Sequence, residues 1–113
     1  MTDTMLEAAA QLVGAVYVKS PYEDCFKIPY DTKNSSGWRE WNPHHDDGDS
    51  ARLRSALMMD VEWFDDGDSP FVDVSNTDGD MVRERMAKHN YDRNAALRMA
   101  TLKCAAEVAR RMG

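Results

Sequence analysis

Residues Thr4 to about Val16 carry the first regular pattern of the chain. Leu6, Ala9, Ala10, Val13 and Val16 recur at spacings of three and four, one apolar stripe of a helix. Thr4, with Glu7 three residues later, has the spacing of a capping box. Gly14 weakens the end of the stripe, and Val16-Tyr17-Val18 reads as a short extension or the start of a strand. From 19 to 43 the periodicity fades, and Pro21, Pro29 and Pro43 all fall there. Residues 19–40 therefore read as a variable loop or insertion. Within it, Cys25 to Tyr30 alternates as a short strand, which Pro29 confines to an edge or an end. Asp31 to Gly37 reads as a polar turn or loop.

Asp46 to about Met58 predicts a second helix. Asp46, Asp47, Asp49 and Ser50 crowd its start, where acids favour the helix dipole and cap free amides. Leu53, Ala56 and Leu57 form its apolar side, while Arg52 and Arg54 point away or pair with the acidic start. Asp60 to Phe64 and Phe71 to Ser75 then alternate as two strands around an Asp-Gly turn, an antiparallel hairpin. Val61, Trp63 or Phe64, Phe71 or Val72, and Val74 are its core candidates. Thr77 to Asp80 is a further turn, and 76–91 reads as a loop or short helix. Asn90 or Asp92 starts the last helix, which runs to about Met112. Its six alanines between Ala95 and Ala109 favour helix and allow close approach to a sheet. Its apolar surface is wider than one sheet face needs, which points to a homodimer.

The pattern predicts an α+β fold: a small layered α/β/α sandwich. A short antiparallel sheet packs against an N-terminal helix, a middle helix and a long C-terminal helix. At 113 residues the chain has the length of one domain, 1–113. No run of about 18 apolar residues is present, so no membrane span is expected. The N-terminus lacks a basic region followed by an apolar one, so no signal peptide is expected. Cys25 and Cys104 fit reduced, apolar thiols in a cytoplasm.

Charge changes the picture more than composition does. The net charge of −6 divides into −2 over 1–45, −9 over 46–80 and +5 over 81–113. Such asymmetry steers a charged partner, or it is two faces attracting each other within one domain; the second reading is preferred. The acidic run offers Asp46, Asp47, Asp49, Asp65, Asp66 and Asp68 as a candidate binding surface. Trp38 and Trp41 are a candidate aromatic patch, although a tryptophan pair beside a proline is more often a packing anchor.

The chemical motifs fail one by one. Asp-Asp-Gly-Asp-Ser occurs at 46–50 and again at 65–69, which raises calcium. With Gly48, Gly67 or Gly79 at the sixth loop position, Pro43, Phe64 or Val74 falls where an oxygen ligand is required. His44, His45, His89, Cys25 and Cys104 lack zinc-site spacing, and neighbours in an extended chain point apart. His89 reads as a surface residue near a helix end. No nucleophile elbow and no phosphate-binding loop occur. The basic final third offers nucleic-acid contacts, but the chain as a whole is acidic.

Trp41-Asn42-Pro43-His44-His45-Asp46-Asp47-Gly48-Asp49, opening a helix with Arg52, Leu53 and Leu57, resembles the phage ABA sandwich domain family. The Met5–Gly14 helix, the strand pair and the final alanine-rich helix are also similar to it. The resemblance implies a small layered α/β domain encoded by a phage or prophage, with Trp41, Pro43 and Asp46 as common positions. It brings no reaction and no cofactor. The expected function is a non-enzymatic accessory protein in the bacterial host cytoplasm, without metal or cofactor. It would bind a host or phage protein, for example as an inhibitor of a defence nuclease complex. The alternatives are a nucleic-acid-associated protein using the basic last helix, or a metal-dependent enzyme using the aspartate-rich turns.

Overall fold

In the computed structural model, α1 (Thr4–Val13) stops where Gly14 takes a left-handed backbone at φ +78°. Ala15 N–H then closes back on Ala10 O at 3.0 Å, the bond that seals a helix C-terminus. The chain turns directly into β1 (Val16–Lys19), so Val16-Tyr17-Val18 is a strand start. The structure describes residues 4–19, 21, 24–29 and 37–112; of the turn expected over 31–37, all but Gly37 lies outside these.

The described parts of 19–40 are more ordered than the expected loop. β2 (Asp24–Pro29) and β3 (Trp38–Glu40) both form, and β2 is the middle strand of an antiparallel sheet ordered β1-β2-β3. Pro29 is tolerated because it is the last residue of its strand. Phe26 pairs with Tyr17 and Ile28 with Arg39.

α2 (Asp47–Ala56) is capped by Asp46. It ends at Leu57 with Met58 at φ 54°, again left-handed, and Met59 N–H bonds to Arg54 O at 3.0 Å. β4 (Asp60–Asp65) and β5 (Pro70–Ser75) make the expected hairpin, with Val61 opposite Val74 and Trp63 opposite Val72. The 76–91 stretch is corrected in part. It holds a third strand, β6 (Met81–Arg85), paired with β5, before the short 3₁₀ helix Met86–His89. Asp92 begins α3 (Arg93–Met112), its side chain accepting Ala95 N–H at 3.1 Å.

The chain adopts the α+β class, with two three-stranded sheets among the described residues where the pattern predicts one. Ala96, Ala100 and Cys104 lie at four-residue steps on one side of α3 and pack with Val72, Val74 and Met86. Leu102 and Ala105, on its other side, pack with Leu6, Ala9, Ala10, Phe26, Trp41 and Leu53. α3 thus lies between two cores, and the layers run sheet, helices, sheet. Part of the apolar girth that pointed to a homodimer is buried within the chain, while Ala106, Val108 and Ala109 stay half-buried and Met112 exposed. No helix among the described residues is long and apolar enough to cross a membrane.

Candidate functional site

The six aspartates do not make one acidic surface. Asp46 caps α2, its carboxylate accepting Asp49 N–H at 2.9 Å. Asp47 pairs with Arg98, 51 residues on. Asp49 is corrected outright: it is 2% exposed. Its Oδ1 accepts from Arg39 Nη1 at 2.6 Å and Arg52 Nη2 at 2.7 Å, and its Oδ2 accepts Asn42 N–H at 2.9 Å. Burial pushes its pKa up, but Arg52, the Asn42 amide and Arg39 outweigh burial and hold it below the ordinary value.

Asp65 ends β4, and Asp66 and Asp68 sit in the turn that leads to β5. Asp65 accepts Gly67 N–H and Asp66 accepts Asp68 N–H, so two of the three carboxylates shape the turn itself. Asp66 also takes Arg85 Nη2 at 2.7 Å, and this pair holds its carboxyl far below the usual range. Asp65 and Asp68 are exposed.

The acidic middle and basic end attract each other within the molecule. Besides Asp47–Arg98 and Asp66–Arg85, Arg111 pairs with Asp80 and Arg83 with the buried Asp73. Arg111 and then Asn76 lower the Asp80 carboxyl to about 2. Arg83 also lies 4.0 Å over the Phe71 ring, and Arg93 lies 4.5 Å over Trp63.

The two tryptophans separate. Trp41 is 2% exposed, edge-on to Phe26, and is a core anchor. Trp38 is 52% exposed. It lies on the outer face of β1-β2-β3, where Val16, Val18, Lys27 and Trp38 line a shallow groove of about 380 Å³. Val16 is itself 51% exposed, and it sits opposite Lys27 in the register.

On the opposite side of the same sheet is a cleft of about 500 Å³. Leu12, Val13, Ile28, Trp41 and Leu53 give it apolar walls, and Arg39 and Arg52 bring the two guanidinium groups held by Asp49. Gly48 helps place one of them: a Cβ there would meet Arg52 Nη2 at 3.1 Å.

One cluster escaped the sequence. Glu84, 3% exposed, accepts from Lys103 Nζ at 2.9 Å and lies 2.8 Å from His89 Nε2. His89 is therefore no surface residue: its ring is held against a buried carboxylate and ties the 3₁₀ helix to β6 and α3. Burial pushes the Glu84 pKa up, but the hydrogen bonds from Lys103 and His89 win and leave it below the ordinary value. No spacing rule finds this trio, because a strand, a 3₁₀ helix and an α-helix supply one member each.

His44 and His45 also depart from expectation. They occupy a turn rather than extended chain, and their rings stand 4.2 Å apart. Among the described residues, no three metal-ligating side chains group closely enough to share an ion. The Cys104 thiol is buried, and burial pushes its pKa up to about 11. Comparison of the chain with known protein families, with curated proteins and with solved structures finds no match.

Proposed function

We propose that the protein is a non-enzymatic binding protein that docks on another protein through the outer face of β1-β2-β3. The observation that carries this reading is Trp38, exposed beside Val16 on a sheet face rather than folded into the core. Tryptophan is enriched among the anchors of protein interfaces, and exposed apolar patches mark interaction sites. Asp65 and Asp68 are exposed and stand outside the ion pairs that engage Asp47, Asp49 and Asp66, which leaves them for steering a basic partner. The resemblance to phage ABA sandwich domains makes a bacterial host protein, met in the host cytoplasm, the expected partner class. Inhibition or modulation of a defence protein is the specific form of that reading.

The nucleic-acid reading is weaker, since Arg83, Arg85, Arg98 and Arg111 are each held by an aspartate. A photo-crosslinker placed at position 38, and separately at the exposed position 112, tests the docking face in host lysate. Crosslinking of a discrete protein from position 38 and not from 112 is the expected result. Equal labelling from both positions, or labelling from 112 alone, overturns it.

A further inference from the structure

The cleft on the inner side of β3 has a chemistry unlike the rest of this acidic chain. Its walls are Leu12 and Val13 from the end of α1, Ile28 from β2, and Trp41 and Leu53. At about 500 Å³ it falls in the size range of small-molecule sites, roughly 300–1,000 Å³, which are mostly apolar with a few fixed polar groups. The fixed polar groups here are Arg39 and Arg52.

Both guanidinium groups converge on one oxygen of Asp49 from different elements, β3 and α2. A guanidinium carries five N–H donors. Arg39 Nη1 is used by Asp49 and, at 3.3 Å, by Glu40 O. Arg52 Nη2 is used by Asp49, with Asp46 farther off at 3.7 Å. The Asp49 carboxylate is buried and cannot itself meet a ligand as an acceptor, yet it holds both cations in place. The result is two oriented guanidinium groups, with most of their donors uncommitted to these partners, lining an apolar cleft.

We infer that this cleft binds an amphipathic anion: a small molecule with an aliphatic body and one terminal carboxylate. The aliphatic part would lie on Leu12, Val13, Ile28 and Leu53, and the carboxylate would meet Arg39 and Arg52. Guanidinium favours carboxylate because its paired N–H groups match two oxygens. The site is separate from the docking face, since Trp38 and Arg39 are successive residues pointing to opposite sides of β3.

Octanoate is the test probe, with 1-octanol and acetate as controls for each half of the ligand. Isothermal titration should give saturable, one-site binding of octanoate. Octanol and acetate should each bind at least tenfold more weakly. Arg52→Gln should weaken octanoate about tenfold or more, the scale of one lost charged hydrogen bond. Arg52 is largely exposed, so this variant should fold even if Arg39→Gln does not. Methyl resonances of Leu12, Val13 and Leu53 should move with octanoate. Absence of saturable binding overturns the inference. So does octanol binding as tightly as octanoate, an Arg52→Gln variant of unchanged affinity, or resonance shifts confined to other residues.

Discussion

Asp49 and Asp46 are three residues apart and carry the same side chain, yet they do different work. Asp46 satisfies one amide at a helix start. Asp49 is buried and satisfies two arginines and the Asn42 amide. Asp46→Ala should therefore cost about 1 kcal/mol, the usual loss of a cap. Asp49→Ala should cost more, about 2–4 kcal/mol, because it strands a backbone N–H and releases two placed cations. Urea denaturation of the two variants checks the order; equal midpoints would show that Asp49 holds nothing together. The acid limb of stability follows from the same groups. Asp49 and Glu84 have folded pKa values below their ordinary ones, so the unfolded chain takes up their protons first. Their contribution is complete above the ordinary carboxylate range, roughly pH 5 and higher, and is lost as pH falls through the folded values. Glu84→Gln should lose less stability than wild type between pH 6 and pH 3. Parallel losses in both proteins would contradict the role given to Glu84.

At the scale of elements, three segments end in the same way. Gly14, Met58 and Asn90 each take a left-handed backbone just past a helix. Glycine and asparagine do this readily; methionine does not. Met58 is exposed, so its side chain gives little in return. Met58→Gly should stabilise the protein by about 0.5–1 kcal/mol, read as a raised urea midpoint. A lowered midpoint would mean that the Met58 side chain makes a contact that outweighs the backbone strain. What the sequence made legible follows the same logic. Asp46 as cap, the 60–75 hairpin and the last helix all carry local signals: a capping residue, period-two alternation and an alanine-rich run. β6 carried none. Its inward positions are Val82 and Glu84, so hydrophobic alternation is broken by a buried acid whose partners lie on the 3₁₀ helix and α3. Pro29 marks β2 as an edge or an end, whereas its place in the middle of a sheet depends on β3, which begins nine residues beyond its end. Trp38 was visible as a candidate, but its separation from Trp41 was not. Adjacent positions of a strand face opposite ways, and which way is decided only by what packs against them.

For the whole molecule, the charge division along the chain closes on itself. Aspartates 47, 66, 73 and 80 meet arginines 98, 85, 83 and 111. Apart from the pair made by the buried Asp73, such surface pairs are each worth little in stability, about 0–1 kcal/mol. Their larger effect is on recognition, because paired arginines offer a weak field to phosphate. A mobility-shift assay at low salt should show no retarded duplex DNA; retardation that weakens steeply with salt would restore the nucleic-acid reading. α3 stands between the two cores, and the outer face of β1-β2-β3 is turned toward solvent, with Trp38 exposed at the start of the edge strand β3. The most direct test of this account is quantitative capture from host lysate with three tagged proteins: wild type, Trp38→Ser and, at an exposed position away from the docking face, Met112→Ser. All three should melt alike. The account predicts one protein retained by wild type and by Met112→Ser after nuclease treatment, and lost with Trp38→Ser. Retention unchanged by Trp38→Ser would contradict it.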